Sequence, residues 1–160
     1  KGFDVGGSLI EESSLMYAKE LIKNPKIVVP ETVVVSESPE KKGRIIHVNS
    51  LNKNESIFDI APEALYELQP IIQNSGTILW NGPIGFFEKE NFARGTQMIA
   101  DMIVSSKSFS VLGGGDTIAA AEKAGVIDKI DYVSTAGGAF LEFMEGKKLP
   151  AVEALMDKFN

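Results

Sequence analysis

The chain has 160 residues, of which 44% are hydrophobic and 24% charged, the composition of an ordinary folded domain with a core of its own. Sixteen basic residues against 22 acidic ones leave a net charge of −6, which argues against a general binder of nucleic acid or anionic membrane. A small phosphorylated ligand held by local dipoles remains open. The absence of cysteine removes disulfides and thiolate metal sites, and no apolar run approaches the ~20 residues of a membrane helix.

In chain order, Lys1 to Gly7 is a polar, glycine-bearing entry without the pattern of a signal peptide. A chain that opens on Lys1 is expected to be a fragment. A helix is predicted from Ser8, with Leu15, Ala18, Leu21 and Ile22 on its apolar face and Pro25 as its stop. Lys26 to Val29 and Thr32 to Val35 are β-branched runs split by Pro30 and predict two strands. Ser36 to Gly43 reads as a turn, Arg44 to Val48 as a strand, and Asn49 to Ser56 as a polar loop. His47, the only histidine, falls in that strand and is expected to be structural.

Pro62 opens a second helix whose buried stripe is expected to be Leu65, Leu68, Ile71 and Ile72. Thr77 to Trp80 predicts a strand, Asn81 to Phe87 a glycine-proline loop, and Glu88 to Ser105 a long helix with Phe92, Ile99, Met102 and Ile103 inward. Phe109 to Leu112 predicts a strand, Thr117 to Ala124 a helix closed by Gly125, and Tyr132 to Thr135 a further strand. Helices over Gly138 to Glu145 and Ala151 to Phe159 end the chain. The later strands are apolar throughout, which predicts a parallel sheet buried on both faces. The fold class is therefore α/β, one domain over residues 1–160, three layers with helices on both faces of a parallel sheet.

Three glycine loops follow strands: N-G-P-I-G-F-F-E (Asn81 to Glu88), G-G-G-D-T (Gly113 to Thr117) and S-T-A-G-G-A (Ser134 to Ala139). In a parallel sheet they share the carboxyl edge, where helix starts and free amides suit phosphates. Asp116 stands where a helix cap falls, and its carboxylate is also a candidate metal ligand. No G-x-x-x-x-G-K-[ST] and no strand-following G-x-G-x-x-G is present, so the common P-loop and dinucleotide fingerprints are absent.

W-N-G-P-I-G-F-F-E, G-G-G-D-T and S-T-A-G-G-A-F-L-E-F-M-E-G-K-K-L-P together resemble phosphoglycerate kinase, in order and over the whole chain. D-V-G-G-S-L-I-E-E resembles the stretch just after that family's adenine-pocket glycines, and N-F-A-R-G-T the helix after the N-G-P loop. The resemblance implies a Rossmann-like, nucleotide-binding part of a two-domain kinase. Such a kinase moves a phosphoryl group between 1,3-bisphosphoglycerate and ADP, giving 3-phosphoglycerate and ATP. It implies a cytoplasmic glycolytic enzyme, monomeric at full length, without nucleic-acid or membrane partners.

Residue by residue, the resemblance implies that Asp116 holds the magnesium of the nucleotide, with Thr117 beside it at the phosphates. Gly113, Gly114 and Gly115 supply amides to the phosphates. Gly137 and Gly138, with Gly114, line the path of the transferred group. Glu88 takes the ribose hydroxyls, Asn81 lies near the triphosphate, Pro83 lies against the nucleoside, and Phe58 belongs to the nucleotide site.

Three positions depart from the family pattern. Ala136 replaces the first of three glycines and is expected to crowd its loop if its φ is positive. In S-I-F-D-I-A-P, Ile57 and Ala61 also replace glycines, Ile57 where the family borders the adenine; Asp59 and Pro62 are retained. The family's basic substrate domain has no counterpart in this sequence. The chain is therefore expected to be inactive alone, and the rival reading is a nucleotide-binding module without catalysis.

Overall fold

The computed structural model describes residues 1–156. The V-V-V run forms β1 (Thr32–Ser36), which pairs antiparallel with β2 (Arg44–His47) and β3 (Ser56–Ile60) in the order β2-β1-β3. Val33, Val35, Ile46 and Val48 bury one face of this small sheet. The segment 26–29 is not a strand, although its residues are β-branched. Ile27, Val28 and Val29 are exposed, with no neighbouring strand among the described residues to take their backbone groups. The third strand, by contrast, begins inside what reads as a polar loop.

The second sheet is parallel, as expected: β4 (Thr77–Asn81), β5 (Phe109–Gly113) and β6 (Tyr132–Ser134), in that order. Three helices carry its main core: α2 (Pro62–Gln73), α3 (Arg94–Ser105) and α4 (Gly115–Lys123). Leu65, Ile99, Ile103, Ala120 and Ala121 from them pack in one cluster with Trp80 and Leu112. Strand side chains alternate in direction, and the opposite face carries Leu79, Phe109 and Tyr132, all exposed. The helix α5 (Gly137–Met144) reaches that face at one end only, where Phe140 fills the space in front of Gly113. The apolar strands are thus not buried on both faces along their length among the described residues.

Helix boundaries shift from the predicted ones for local reasons. A short 3-10 turn, Glu12–Ser14, precedes α1 (Leu15–Leu21), so the first helix starts well after Ser8. Its stripe Leu15, Leu21 and Ile22 is exposed rather than inward. Pro62 opens α2 as expected, yet Ile71 is 53% exposed while Leu65 is fully buried. The long helix begins at Arg94, after a separate 3-10 turn at Glu90–Phe92. The last helix, α6, spans Pro150–Met156 with Val152, Leu155 and Met156 exposed; Phe159 lies outside the described residues.

Candidate functional site

Parallel register sets Asn81, Gly113 and Ser134 side by side at the carboxyl ends of β4, β5 and β6. The Asn81 amide Nδ2 donates to the Gly113 carbonyl at 2.8 Å, and the Gly82 N–H donates to Thr117 Oγ1 at 2.7 Å. A Cβ on Gly137 would stand 3.6 Å from the Gly114 Cα, so the third loop meets the second. The three glycine loops therefore converge on one edge, as the sequence predicts. Gly114 has φ +93, a conformation that a side chain would strain, and it is the residue that caps α4.

That cap corrects one expectation. Asp116 does not cap the helix; it lies in the first turn, exposed and without a protein hydrogen bond among the described residues. Thr117 is 1% exposed, and its hydroxyl is occupied in holding Gly82. Ala136 has φ −92, so its methyl group needs no strained backbone, and the expected crowding from a positive φ does not arise. Gly137 and Gly138 form the first turn of α5, with their amides at its open end.

The other half of the 81–88 loop turns toward a cleft of about 670 Å³ lined by Gly7, Ser8, Leu9, Ile57, Phe58 and Phe86, among others. Phe58 and Phe86 stack with ring centroids 6.2 Å apart, and the Phe86 N–H donates to the Phe58 carbonyl at 2.7 Å. Ile57 is part of the wall, so a side chain larger than glycine is accommodated there. Pro83 is half-buried in the loop. Glu88 is exposed at the loop's end, where Lys123 Nζ donates to the carbonyls of Phe87 at 2.6 Å and Glu88 at 3.0 Å. Aromatic faces on one side and a free acid nearby suit a flat base and a sugar.

Several residues of this site escape sequence reasoning. Ser8 Oγ accepts from the Ile57 N–H at 2.9 Å, and Gly7 N–H donates to the Glu55 carbonyl at 2.8 Å. Arg44 forks onto Glu55, with Nε to Oε1 at 2.7 Å and a second nitrogen to Oε2 at 2.6 Å. The Arg44 hydrogen bond holds the Glu55 carboxyl down at about 2. The pair fixes the turn on which Gly6 and Gly7 dock. Of these residues, Gly6, Gly7 and Ser8 carry a signal in the sequence, through D-V-G-G-S-L-I-E-E, and Arg44 and Glu55 carry none. His47, by contrast, plays the structural part expected of it, accepting from the Asn49 N–H at 3.3 Å and lying 3.4 Å from Glu31.

The family model described as phosphoglycerate kinase matches residues 1–147. The chain belongs to the phosphoglycerate kinase family. It is 46% identical over 158 residues to the phosphoglycerate kinase of Baumannia cicadellinicola, covering 99% of this chain and 41% of that protein. It is 48% identical over 165 residues to the one from Francisella tularensis subsp. novicida, with 42% of that protein covered. Among solved structures, the phosphoglycerate kinase of Coxiella burnetii superposes with a TM-score of 0.91 at 41% identity, over 98% of this chain and 42% of that one. That of Pyrococcus horikoshii gives 0.75 at 33% identity, over 97% and 41%. The chain thus spans about two fifths of the length of these phosphoglycerate kinases. No helix among the described residues is long and apolar enough to cross a membrane.

Proposed function

We propose that this chain is the nucleotide-holding part of a phosphoglycerate kinase. The observation that carries the reading is the loop from Asn81 to Glu88, which joins the edge where three glycine loops meet to the aromatic cleft. A nucleotide laid along it would have its phosphates at Gly113, Gly114, Gly115, Gly137 and Gly138, its ribose at Glu88, and its base between Ile57, Phe58 and Phe86. Helix-start amides favour the phosphate charge without any basic side chain.

Among the described residues no group of three His, Asp or Glu is placed to hold a metal ion. A lone exposed carboxylate at the phosphate edge fits magnesium, which keeps waters and takes most of its remaining ligands from substrate phosphates. Asp116 is the residue that would hold it, and the ion would neutralise charge on the transferring phosphoryl group. In the whole enzyme, the phosphorus–oxygen bond of the acyl phosphate of 1,3-bisphosphoglycerate breaks as the ADP β-phosphate oxygen forms its own. Gly114, Gly137 and Gly138 would offer N–H groups along that line. The products, 3-phosphoglycerate and ATP, belong to glycolysis in the cytoplasm. The acid substrate is held by the part of the enzyme beyond this chain, so the chain alone binds but does not turn over.

Calorimetric titration with ADP, with and without magnesium, tests the reading. Asp116→Ala is expected to remove the magnesium-dependent share of affinity and leave the fold intact, because the side chain is exposed and caps nothing. Equal magnesium dependence in the variant and the unchanged chain would remove Asp116 from the metal role.

A further inference from the structure

We infer that Asp59 and Thr96 are positioning residues for the nucleoside, setting the second half of the 81–88 loop against the aromatic cleft. The inference rests on the nucleotide reading above. The loop is held in two halves by different elements. Its first half is pinned to the phosphate edge through Asn81 to Gly113 and Gly82 to Thr117. Its second half is pinned to β3 and α3. The Thr96 hydroxyl accepts from the Ile84 N–H at 3.0 Å and donates to the Ile84 carbonyl, a side chain standing in for a paired strand.

Asp59 joins three elements at one carboxylate. Its Oδ2 accepts from the Gly95 N–H in the first turn of α3 at 2.8 Å, and its Oδ1 from the Ile60 N–H on β3 at 2.8 Å. The loop packs against the same group: a Cβ on Gly85 would stand 2.4 Å from Oδ1 and 2.8 Å from the Phe58 carbonyl, and Gly85 has φ +68. Only glycine lets the loop come this close. Asp59 and Thr96 are each 3% exposed, so neither is placed to touch a ligand. What they fix is Phe86, on Phe58 at the cleft, and the lead-in to Glu88. The distance between base site and phosphate edge is thereby built into the protein rather than chosen by the ligand.

A split in ligand response separates this role from general support of the fold. The measurement is calorimetric titration of the unchanged chain, Asp59→Asn and Thr96→Val with adenosine, ADP and pyrophosphate, in the presence of magnesium. Asn offers one acceptor where two N–H groups need one each, and Val removes both Thr96 hydrogen bonds at constant volume. Both changes are expected to weaken adenosine and ADP by about tenfold and to leave pyrophosphate within about twofold. The two substitutions lie on different elements, so a variant whose melting curve shows loss of fold leaves the other to decide. Equal weakening of adenosine and pyrophosphate, or no weakening of either, would overturn the positioning role alone. An unchanged chain that binds neither ADP nor pyrophosphate would sink the nucleotide reading, and this role with it.

Discussion

Two buried carboxylates show how environment divides one chemistry. Glu55 sits on a guanidinium, and its pKa falls to about 2 from 4.5. Among the described residues Asp59 has only backbone N–H partners, and burial outweighs them, so its pKa rises to about 6 from 3.8. The signs differ. Glu55 contributes stability above 4.5 that is lost as pH falls toward about 2. Asp59 contributes stability in full below 3.8 that is lost as pH rises through about 6. Urea unfolding of Asp59→Asn across that second window should therefore lack a decline that the unchanged chain shows; parallel curves would refute it. Glu88, with no protein partner among the described residues, is argued from its place at the loop's end. Glu88→Gln should weaken ADP and leave inorganic phosphate unaffected, since under the proposed function the lost acceptor would face ribose hydroxyls. Titration in which both ligands weaken together would make Glu88 a loop-organising residue instead. Gly114 and Gly137 were legible in the sequence because glycine turns mark them, whereas the same turn chemistry marked Asp116 as a cap, the place that Gly114 takes. Asp59 was legible only as a matched letter, because its partners Gly85 and Gly95 lie 26 and 36 residues away in the chain.

At the scale of elements, the sequence reads well where a helix or strand is decided locally. Pro62 at a first helical position punctuates as expected, and Gly146, with φ +78 beyond α5, is a glycine stop of the usual kind. It reads poorly where a distant partner decides. Lys26 to Val29 has strand-forming residues and no strand beside it, whereas Ser56–Ile60 becomes a strand because β1 offers its edge. The start of α3 is a further case, set by Asp59 from across the fold. Gly95→Ala isolates that effect, because the sign of the result decides. In an ordinary helix interior the change would stabilise by ~1 kcal/mol. Here the new Cβ would lie 2.1 Å from Asp59 Oδ1, so destabilisation by ~1–3 kcal/mol is expected from urea unfolding. A stabilised variant would show that α3 moves freely away from Asp59.

At the scale of the molecule, the fold is half-clothed. Leu79, Phe109 and Tyr132 on one sheet face, and Leu15, Met16 and Tyr17 on α1, are exposed. Exposed apolar side chains gathered on one face of an element are the usual mark of an interaction face. The alternation of β4 and β5 shows it only once the helices are placed, which is why uniformly apolar strands suggested burial on both sides. Arg44 is committed to Glu55, and Arg94 is the only other arginine, so the sequence holds no arginine cluster. Holding two substrates in line is worth ~7–11 kcal/mol of barrier, and under the proposed function this chain would supply one side of that alignment. The most direct test is a steady-state assay of phosphoryl transfer from 1,3-bisphosphoglycerate to magnesium-ADP. The chain would be measured alone and mixed with a separately produced remainder of the polypeptide. The account predicts no turnover above background from the chain alone and turnover on mixing. Near-complete activity from the chain alone would contradict it, because the acid substrate would then be held by residues assigned here to the nucleotide.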